Sequence, residues 1–377
     1  MFWHINKINN NMSFNKIVFC TLRDNRGATG GPGGVLFLQK ELIGNHLLHY
    51  QCEYWFNRFT KKSKFRNKLN EVNLIIKAIF TRKAYFIAHD VKSAYILARL
   101  GKSYSVIFHH QGPLVEEYAN LGVKINDRIS GSLKLWEKEG FVNALSVHFP
   151  SRGAADMYFQ SDKASVERSF VNVGEPLFNV ILPSKITKPI DFQLEKEKDV
   201  LTFFSLGTLT IAKGQDQTAQ FLSTFLKHYN GNVRYIIVGK GPLKNQLISS
   251  LDKICSHYSN FKYHYIESVP HPTVMYIHQI ADVYIMMHRI SIFDFATLEA
   301  MSQGSAIVLS KVGGNTDFNK EQNVIFAEDA INNMAAFAKT NFEQLKLKNK
   351  EVFETYFSKE AYCRQYVKFV ERYVNCK

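Results

Sequence analysis

One segment, residues 281–314, carries the residues best suited to chemistry. Its apolar run Val283–Met287 is short enough for a buried strand, and a polar loop follows it. Asp294 then stands where a helix N-cap is expected, ahead of the apolar-rich stretch Phe295–Met301. Gly304 is placed to end that helix. The segment therefore predicts a strand, a loop and a helix, with a second buried strand, Ala306–Ser310, after them.

The start of this helix is suited to anion binding. Free backbone N–H groups and the helix dipole attract anions, and α/β folds bind ligands at the carboxyl edge of the sheet. Glu299 lies about one turn into the helix. Its carboxylate could reach a hydroxyl beside a bound phosphate.

A glycine-rich loop near the N-terminus suggests a second phosphate contact. Lys16–Thr21 predicts the first strand, and the loop from Arg23 to Gly34 holds five glycines within residues 27–34. A helix, Val35–Leu42, is expected to follow. Strand, glycine-rich loop and helix form a phosphate cradle, although no Walker motif is present and a flexible turn is the alternative.

Two histidines end another predicted strand. Tyr104–Phe108 is followed by His109 and His110, at the edge where ligands bind. A core histidine would explain either one alone. The spacing of nearby carboxylates does not favour a metal site.

Composition limits the classes of protein. The chain has 377 residues, 46% of them hydrophobic, which is enough for two α/β domains. No apolar run approaches the roughly 20 residues of a membrane span, and no secretory signal is recognised at the start. The five scattered cysteines favour reduced thiols over a disulfide framework or a zinc site. We therefore expect a cytoplasmic protein.

The net charge of +14 is uneven. Residues 1–180 hold 24 Lys and Arg against 14 Asp and Glu, and residues 181–377 hold 23 against 19. The stretch Tyr54–Lys68 adds aromatics to six basic residues without an acid. This favours contact with an anionic membrane surface at the inner face of the membrane. A solvated helix face, a grip on a glycan acceptor, and nucleic-acid binding are the alternatives.

These motifs resemble retaining GT-B glycosyltransferases of family four. That family has a glutamate, seven residues, then a second glutamate followed by Ala-Met, a short gap and Gly, which Glu299-Ala-Met and Gly304 match. A second family motif is matched by Gly207, Leu209, Lys213 and Gly214. Two positions depart from the pattern: Ser291 replaces the first glutamate, and Thr208 replaces an arginine.

The resemblance implies a GT-B fold of two Rossmann-like α/β domains facing each other across a cleft. We expect residues 1–182 to form the acceptor-side domain and residues 183–199 a linker. Residues 200–350 would then bind the nucleotide sugar. Residues 351–377 would form a helix that crosses back to the first domain.

The resemblance also assigns the site. His109 would contact the donor sugar, Lys213 the diphosphate and Glu299 the ribose hydroxyls. We add Arg289 as a replacement for the missing guanidinium. Asp294 is a candidate replacement for the carboxylate lost at Ser291, with a plain N-cap as the alternative. The residues expected around the donor are Gly31, Gly33, Gly34, His110, Gly207, Thr208, Gly239, Pro270, Ser291, Phe293, Asp294, Phe295 and Ala296.

The resemblance implies a retaining hexosyltransferase acting on a nucleoside diphosphate sugar, with a glycan or lipid-linked glycan of the cell envelope as acceptor. No metal or other cofactor is expected, because the chain contains no Asp-x-Asp sequence. The alternative is a non-catalytic GT-B protein that binds a glycan or a second transferase. An epimerase would need paired carboxylates and a histidine, a set that the sequence does not offer. A nucleic-acid binder would fit only the charge.

Overall fold

The computed structural model describes residues 14–24, 32–43, 46–47, 50–57, 63–110, 112–120, 122–182, 186, 188 and 192–374. The chain divides into two compact units. The first comprises residues 1–179 and 359–377, and the second comprises residues 180–358. Much of the predicted linker 183–199 lies outside the described residues.

The first unit is built on a five-stranded parallel sheet in the order β2-β1-β3-β4-β5. Its strands are short and largely buried, with β-branched and aromatic residues that favour this state. The strands are β1 (Lys16–Cys20), β2 (Gln51–Trp55), β3 (Ala84–Ala88), β4 (Tyr104–Ile107) and β5 (Ser146–His148). The helices between and after them are α1 (Pro32–Ile43), α2 (Lys64–Phe80), α3 (Val91–Arg99), α4 (Leu114–Asn120), α5 (Asp127–Val142) and α6 (Arg152–Gln160).

The second unit has a six-stranded parallel sheet in the order β11-β10-β9-β6-β7-β8. Its strands are β6 (Val200–Leu206), β7 (Asn232–Val238), β8 (Phe261–Ile266), β9 (Val283–Met286), β10 (Ala306–Leu309) and β11 (Val324–Phe326). Its helices are α7 (Gln215–Phe225), α8 (Lys244–His257), α9 (His271–Ile280), α10 (Phe295–Ser302), α11 (Ala327–Asn332), α12 (Met334–Phe337) and α13 (Phe342–Val352).

The last helix, α14 (Lys359–Val374), belongs to the first unit. Its Tyr366 accepts a hydrogen bond from the buried Gln39 of α1, and Cys363 Sγ lies 3.5 Å from the Leu42 carbonyl oxygen. The Phe369 ring packs edge-on against His148, with 4.6 Å between ring centroids. These contacts join α14 to the helix and strand layers of the first unit.

The fold class is as expected: each unit is a parallel-sheet α/β domain with a Rossmann-like topology, and the C-terminus is helical. Within the described residues, no helix has the length and apolar character needed to cross a bilayer.

Two elements differ from the sequence prediction. Helix α1 begins at Pro32, not Val35, so that Gly33 and Gly34 lie in its first turn; proline favours the first helical position because its missing N–H would be unpaired there anyway. The C-terminal helix, expected over residues 351–377, begins only at Lys359, after a break at Ser358. A π-helical turn, Phe353–Phe357, precedes the break, and Ser358 is extended, with ψ 167°.

Two aromatics of the basic stretch are less available than the sequence suggested. Trp55 is buried at the end of β2, and the Tyr54 ring stacks on Phe19 with 4.9 Å between centroids. Residues 58–62 lie outside the described part of the chain. The exposed apolar residues of this region lie on α2, from Phe65 inside this stretch to Phe80 beyond it.

Candidate active site

The second sheet has a topological switch point between β6 and β9. Relative to the order of its strands along the chain, this sheet has the dinucleotide-fold arrangement 3-2-1-4-5-6, which reverses between its first and fourth strands. Phe203 pairs with Val283 across this point. Ligands of open α/β sheets bind in the crevice beyond the carboxyl ends of the strands at such a point. We therefore expect a ligand to bind at the loops after β6 and β9.

Close backbone approach joins these two loops. Gly214 has φ +69°, and a Cβ there would lie 1.7 Å from the Met287 carbonyl oxygen, so only glycine fits. The Arg289 N–H donates to the Ala212 carbonyl at 2.9 Å. This contact fixes Lys213, in the short 3₁₀ turn Ile211–Lys213, next to the loop that leads into α10.

Lys213 and Asp294 form an ion pair at the N-terminus of α10. Lys213 Nζ donates to Asp294 Oδ1 at 2.7 Å and lies 3.3 Å from His288 Nε2. The Asp294 side chain is only 11% exposed, whereas that of Lys213 is 28% exposed. The lysine can therefore meet a ligand from solvent while the carboxylate beneath it stays buried.

Asp294 is also the N-cap of α10, as the sequence predicted. Its Oδ2 accepts from the Thr297 N–H at 3.2 Å and lies 3.4 Å from the Tyr284 hydroxyl, which donates to it. Burial alone would raise the pKa of Asp294, but the Lys213 charge and the hydrogen bonds from Lys213 and Thr297 hold this pKa well below its usual range. Burial lowers the pKa of His288 to about 4, so this imidazole is neutral at pH 7.

Glu299 is paired with a histidine that sequence reasoning had not singled out. His271, at the start of α9, places its Nε2 2.6 Å from Glu299 Oε1. The Glu299 side chain is 12% exposed and that of His271 is 51% exposed. The hydrogen bond with Glu299 raises the pKa of His271. Pro270, expected near the nucleobase, directly precedes this histidine and is exposed.

Arg289 is held in a bidentate ion pair. Its Nη1 and Nη2 donate to the two carboxylate oxygens of Asp216 at 2.8 and 2.7 Å, and Nη1 also donates to the Ile211 carbonyl oxygen. Thr208, which stands at the family's arginine position, is exposed. The pair with Asp216 braces the turn that carries Lys213. A role of Arg289 in phosphate binding stays a prediction.

The other predicted residues of this unit fall into three groups. Gly207 and Gly239 end β6 and β7 at positive φ, and a Cβ on Gly239 would lie 1.9 Å from the Gly207 carbonyl oxygen. Phe295 and Ala296 lie half-buried in the first turn of α10. Ser291 and Phe293 are buried: the Ser291 Oγ has no hydrogen-bond partner among the described residues, and the Phe293 ring stacks on Phe318.

The first unit places its own predicted residues at a different switch point, between β1 and β3. Asp90, the N-cap of α3, joins the two strand ends, since its Oδ2 accepts from the Thr21 hydroxyl at 2.9 Å and from the Leu22 N–H at 2.7 Å. Gly33 packs so closely on residue 24 that a Cβ would lie 2.1 Å from the Asp24 carbonyl oxygen. Gly31 lies outside the described residues.

His109 and His110 have different surroundings. His109 is buried, with its Nε2 3.0 Å from His89 Nδ1 and its ring stacked on the His89 ring. Burial, with the neighbouring His89 and His110, lowers the pKa of His109 well below its usual value. His110 Nδ1 lies 2.8 Å from Glu117 Oε2, and His110 lines a cavity of about 360 Å³ in this unit.

In the described part of the chain, no cluster of three or more His, Cys, Asp or Glu side chains is arranged to hold a metal ion.

Comparisons with known proteins agree with this architecture. Residues 187–361 match the family model "Glycosyl transferases group 1". No curated protein matched the chain. Among solved structures, a sucrose-phosphate synthase from Thermosynechococcus elongatus superposes with a TM-score of 0.63 at 12% identity, covering 96% of this chain and 100% of that one.

Two further solved structures share the fold at similarly low sequence identity. Anabaena Alr3699/HepE, solved in complex with UDP, has a TM-score of 0.62 at 14% identity, covering 95% and 100% of the two chains. The lipopolysaccharide outer core galactosyltransferase WaaB, in its apo form, has a TM-score of 0.61 at 15% identity, covering 94% and 98%. The fold is that of GT-B glycosyltransferases, and the stretch that matches the glycosyl transferases group 1 model includes Lys213, Asp294 and Glu299.

Proposed function

We propose that this protein is a retaining glycosyltransferase that moves a sugar from a nucleoside diphosphate sugar to a glycan or lipid-linked glycan of the cell envelope. The observation that carries the proposal is the Lys213–Asp294 pair at the β6/β9 switch point, beside the first turn of α10. It provides a partly exposed cation and free helix N–H groups at the place where such sheets bind phosphates.

Lys213 stabilises the leaving diphosphate in this proposal. Negative charge grows on the phosphate oxygens as the bond to the sugar breaks, and a fixed cation there lowers the barrier. Asp294 holds the lysine in place before the donor binds. When Lys213 turns to the phosphate, Asp294 keeps its hydrogen bonds from Thr297 and Tyr284.

Glu299 binds the ribose hydroxyls of the donor. A carboxylate accepts two hydroxyl hydrogen bonds well, and the His271 imidazole beside it fixes its orientation. Anabaena Alr3699/HepE has been solved in complex with UDP and in complex with UDP and glucose, so UDP is the first nucleotide to test.

The neutral His109 imidazole contacts the sugar, and the reaction needs no metal ion, because Lys213 and the α10 N-terminus meet the charge on the diphosphate. The acceptor hydroxyl attacks from the face that the diphosphate leaves, which retains the configuration of the sugar.

Similarity of fold to a lipopolysaccharide galactosyltransferase supports an acceptor of the cell envelope, and the enzyme would work at the inner face of the cytoplasmic membrane.

The test is a panel of nucleotide sugars. The donor should raise the melting temperature, since ligand at about 100 times its dissociation constant adds about 2.7 kcal/mol to the free energy of unfolding. The same donor should then release nucleoside diphosphate in a turnover assay, slowly with water and faster with acceptor. Stabilisation by no member of the panel would contradict the proposal.

The second candidate is a non-catalytic GT-B protein that binds a glycan or another transferase. It is favoured by two replacements: Ser291 lacks the family's carboxylate, and Thr208 lacks its guanidinium. This candidate predicts that nucleotide binds without any release of diphosphate from any sugar donor, so the same panel separates the two.

A further inference from the structure

The outward face of helix α2 is apolar. Five large apolar residues on it are exposed: Phe65 (72%), Val72 (48%), Ile76 (50%), Ile79 (50%) and Phe80 (80%). Their spacing of seven, four, three and one residues places them on one side of the helix. We call these five residues the α2 stripe.

The opposite side of α2 is the one that packs into the first unit. Asn70, Leu74 and Ala78, four residues apart, are all buried. Helix α2 therefore packs into the core through this buried side, and the α2 stripe is a separate, solvent-exposed face. It extends over about 22 Å at 1.5 Å per residue. Single exposed apolar residues are common, whereas a continuous row marks a contact surface.

The surroundings of the stripe are basic. Residues 65–83 contain five Lys and Arg and one acid, Glu71. That acid is engaged in an ion pair with Lys92 of α3. Lys68, Arg82 and Lys83 are exposed beside or just after the stripe. The partner that fits has an apolar interior and a negatively charged surface.

We propose that the α2 stripe docks this protein on an anionic lipid bilayer. The apolar side chains enter the boundary between headgroups and acyl chains, and the basic side chains contact lipid phosphates. Helices with one apolar face and basic flanks lie in this interface, and each added Lys or Arg strengthens binding about fivefold. A second copy of the chain would be an unfavourable occupant, since it would bring like charges together.

The other side of α2 connects this surface to the cavity of the first unit. Asn67, Asn70 and Glu71 line the cavity of about 360 Å³, together with Asp90 and Trp136. Lipid docking through α2 would bring the polar end of a lipid-linked acceptor near this cavity. This link rests on the proposed function, whereas bilayer binding itself does not.

The experiment is flotation of the full chain with vesicles of equal parts phosphatidylglycerol and phosphatidylcholine, and with phosphatidylcholine alone. The wild type should bind the anionic vesicles and lose binding at high salt. Ile76→Glu with Ile79→Glu should reduce the partition coefficient at least tenfold. Lys68→Gln with Arg82→Gln should reduce it roughly 25-fold at low salt.

The matched control is Ile331→Glu with Leu347→Glu, at positions of the second unit that are 54% and 69% exposed. This variant should bind vesicles like the wild type. Equal binding by the Ile76/Ile79 variant, or equal binding to neutral vesicles, would overturn the proposal. So would a wild-type dimer in light scattering that the Ile76/Ile79 variant converts to monomer without any vesicle binding. Donor turnover in detergent-free buffer, measured on the same variant, separates failure of docking from failure of the enzyme.

Discussion

The two switch points of the molecule are built from different chemistry. In the second unit, β6 and β9 lead to a paired lysine and aspartate beside a helix N-terminus. In the first unit, β1 and β3 lead to Asp90, which accepts a hydrogen bond from the strand-end Thr21, and to the neutral His89, whose ring stacks on that of His109 after β4. The arrangement in the second unit suits a charged diphosphate, and the arrangement in the first unit suits uncharged hydroxyl groups. The two sheets have different strand orders, and the side chains at their switch points differ as well.

The largest expected effect is on turnover at the second switch point. Lys213→Ala should lower kcat/KM for the donor by about 10² to 10³, as removal of one charge-stabilising donor does in other enzymes. Steady-state release of nucleoside diphosphate measures it. Lys227→Ala, at an exposed position after α7, is the control and should match the wild type. A Lys213→Ala enzyme with full activity would remove the distinction between the two switch points.

A smaller loss is expected from the carboxylate that holds the lysine. Asp294→Asn keeps an N-cap oxygen for Thr297 but loses the ion pair with Lys213. We expect kcat to fall about tenfold and Lys213 to become more available to simple phosphates. The free energy of unfolding at pH 7 should also fall, because the lowered pKa of Asp294 means that its charged form stabilises the fold. Kinetics and urea unfolding on one preparation check both parts. A large loss of stability with normal kcat would make Asp294 a structural residue only.

Much of the second unit could be predicted from local sequence. The N-cap Asp294, the helix after it and the C′ Gly304 were predicted because each depends on residues within a few positions. The Lys213–Asp294 contact spans 81 residues. The backbone conformation at position 214 permits only glycine and allows the two loops to approach closely. The local sequence pattern cannot show this contact.

Two further side-chain pairs could not be predicted from the sequence for the same reason: their members lie far apart along the chain. His271 meets Glu299 across 28 residues, and Arg289 meets Asp216 across 73. The sequence therefore named Glu299 and Arg289 without their partners. In the first unit, the helix start at Pro32 was missed because the neighbouring glycines gave the stretch the composition of a loop.

Acid should weaken the fold through its buried histidines. His288 has a pKa of about 4 and His278 one of about 3, both lowered by burial, against about 6.5 in the unfolded chain. Between those values the unfolded chain binds more protons, so the free energy of unfolding should fall as pH drops from 6.5 toward 4. His89, with a pKa of about 3, adds the same trend in the first unit. Urea unfolding at pH 7 and pH 5 measures it.

His278 allows this effect to be assigned to one unit. Both of its ring nitrogens are buried with no hydrogen-bond partner among the described residues, and its ring packs on Phe204 and Tyr284. His278→Phe should stabilise the protein by about 1 to 3 kcal/mol, more at pH 5 than at pH 7. His228→Phe, at an exposed position, is the control. A destabilised His278→Phe variant would mean that this imidazole has a partner in solution.

The smallest expected effect belongs to Arg289. Arg289→Ala removes the partly exposed pair with Asp216, which should lower stability by no more than about 1 kcal/mol. If the guanidinium also supplies phosphate charge, the KM for the donor should rise severalfold beyond that. Asp216→Ala frees the guanidinium and serves as the comparison. Unchanged donor affinity and turnover in Arg289→Ala would remove Arg289 from the site.

Nucleotide binding by the Lys213→Ala variant, measured by calorimetry with UDP, UMP and uridine, tests the role of Lys213 most directly. We expect UDP to bind the wild type more tightly than UMP does, and the substitution to reduce UDP affinity at least tenfold while uridine binding is unchanged. Equal affinity of wild type and variant for UDP would contradict the claim that the β6/β9 switch point holds the diphosphate through Lys213.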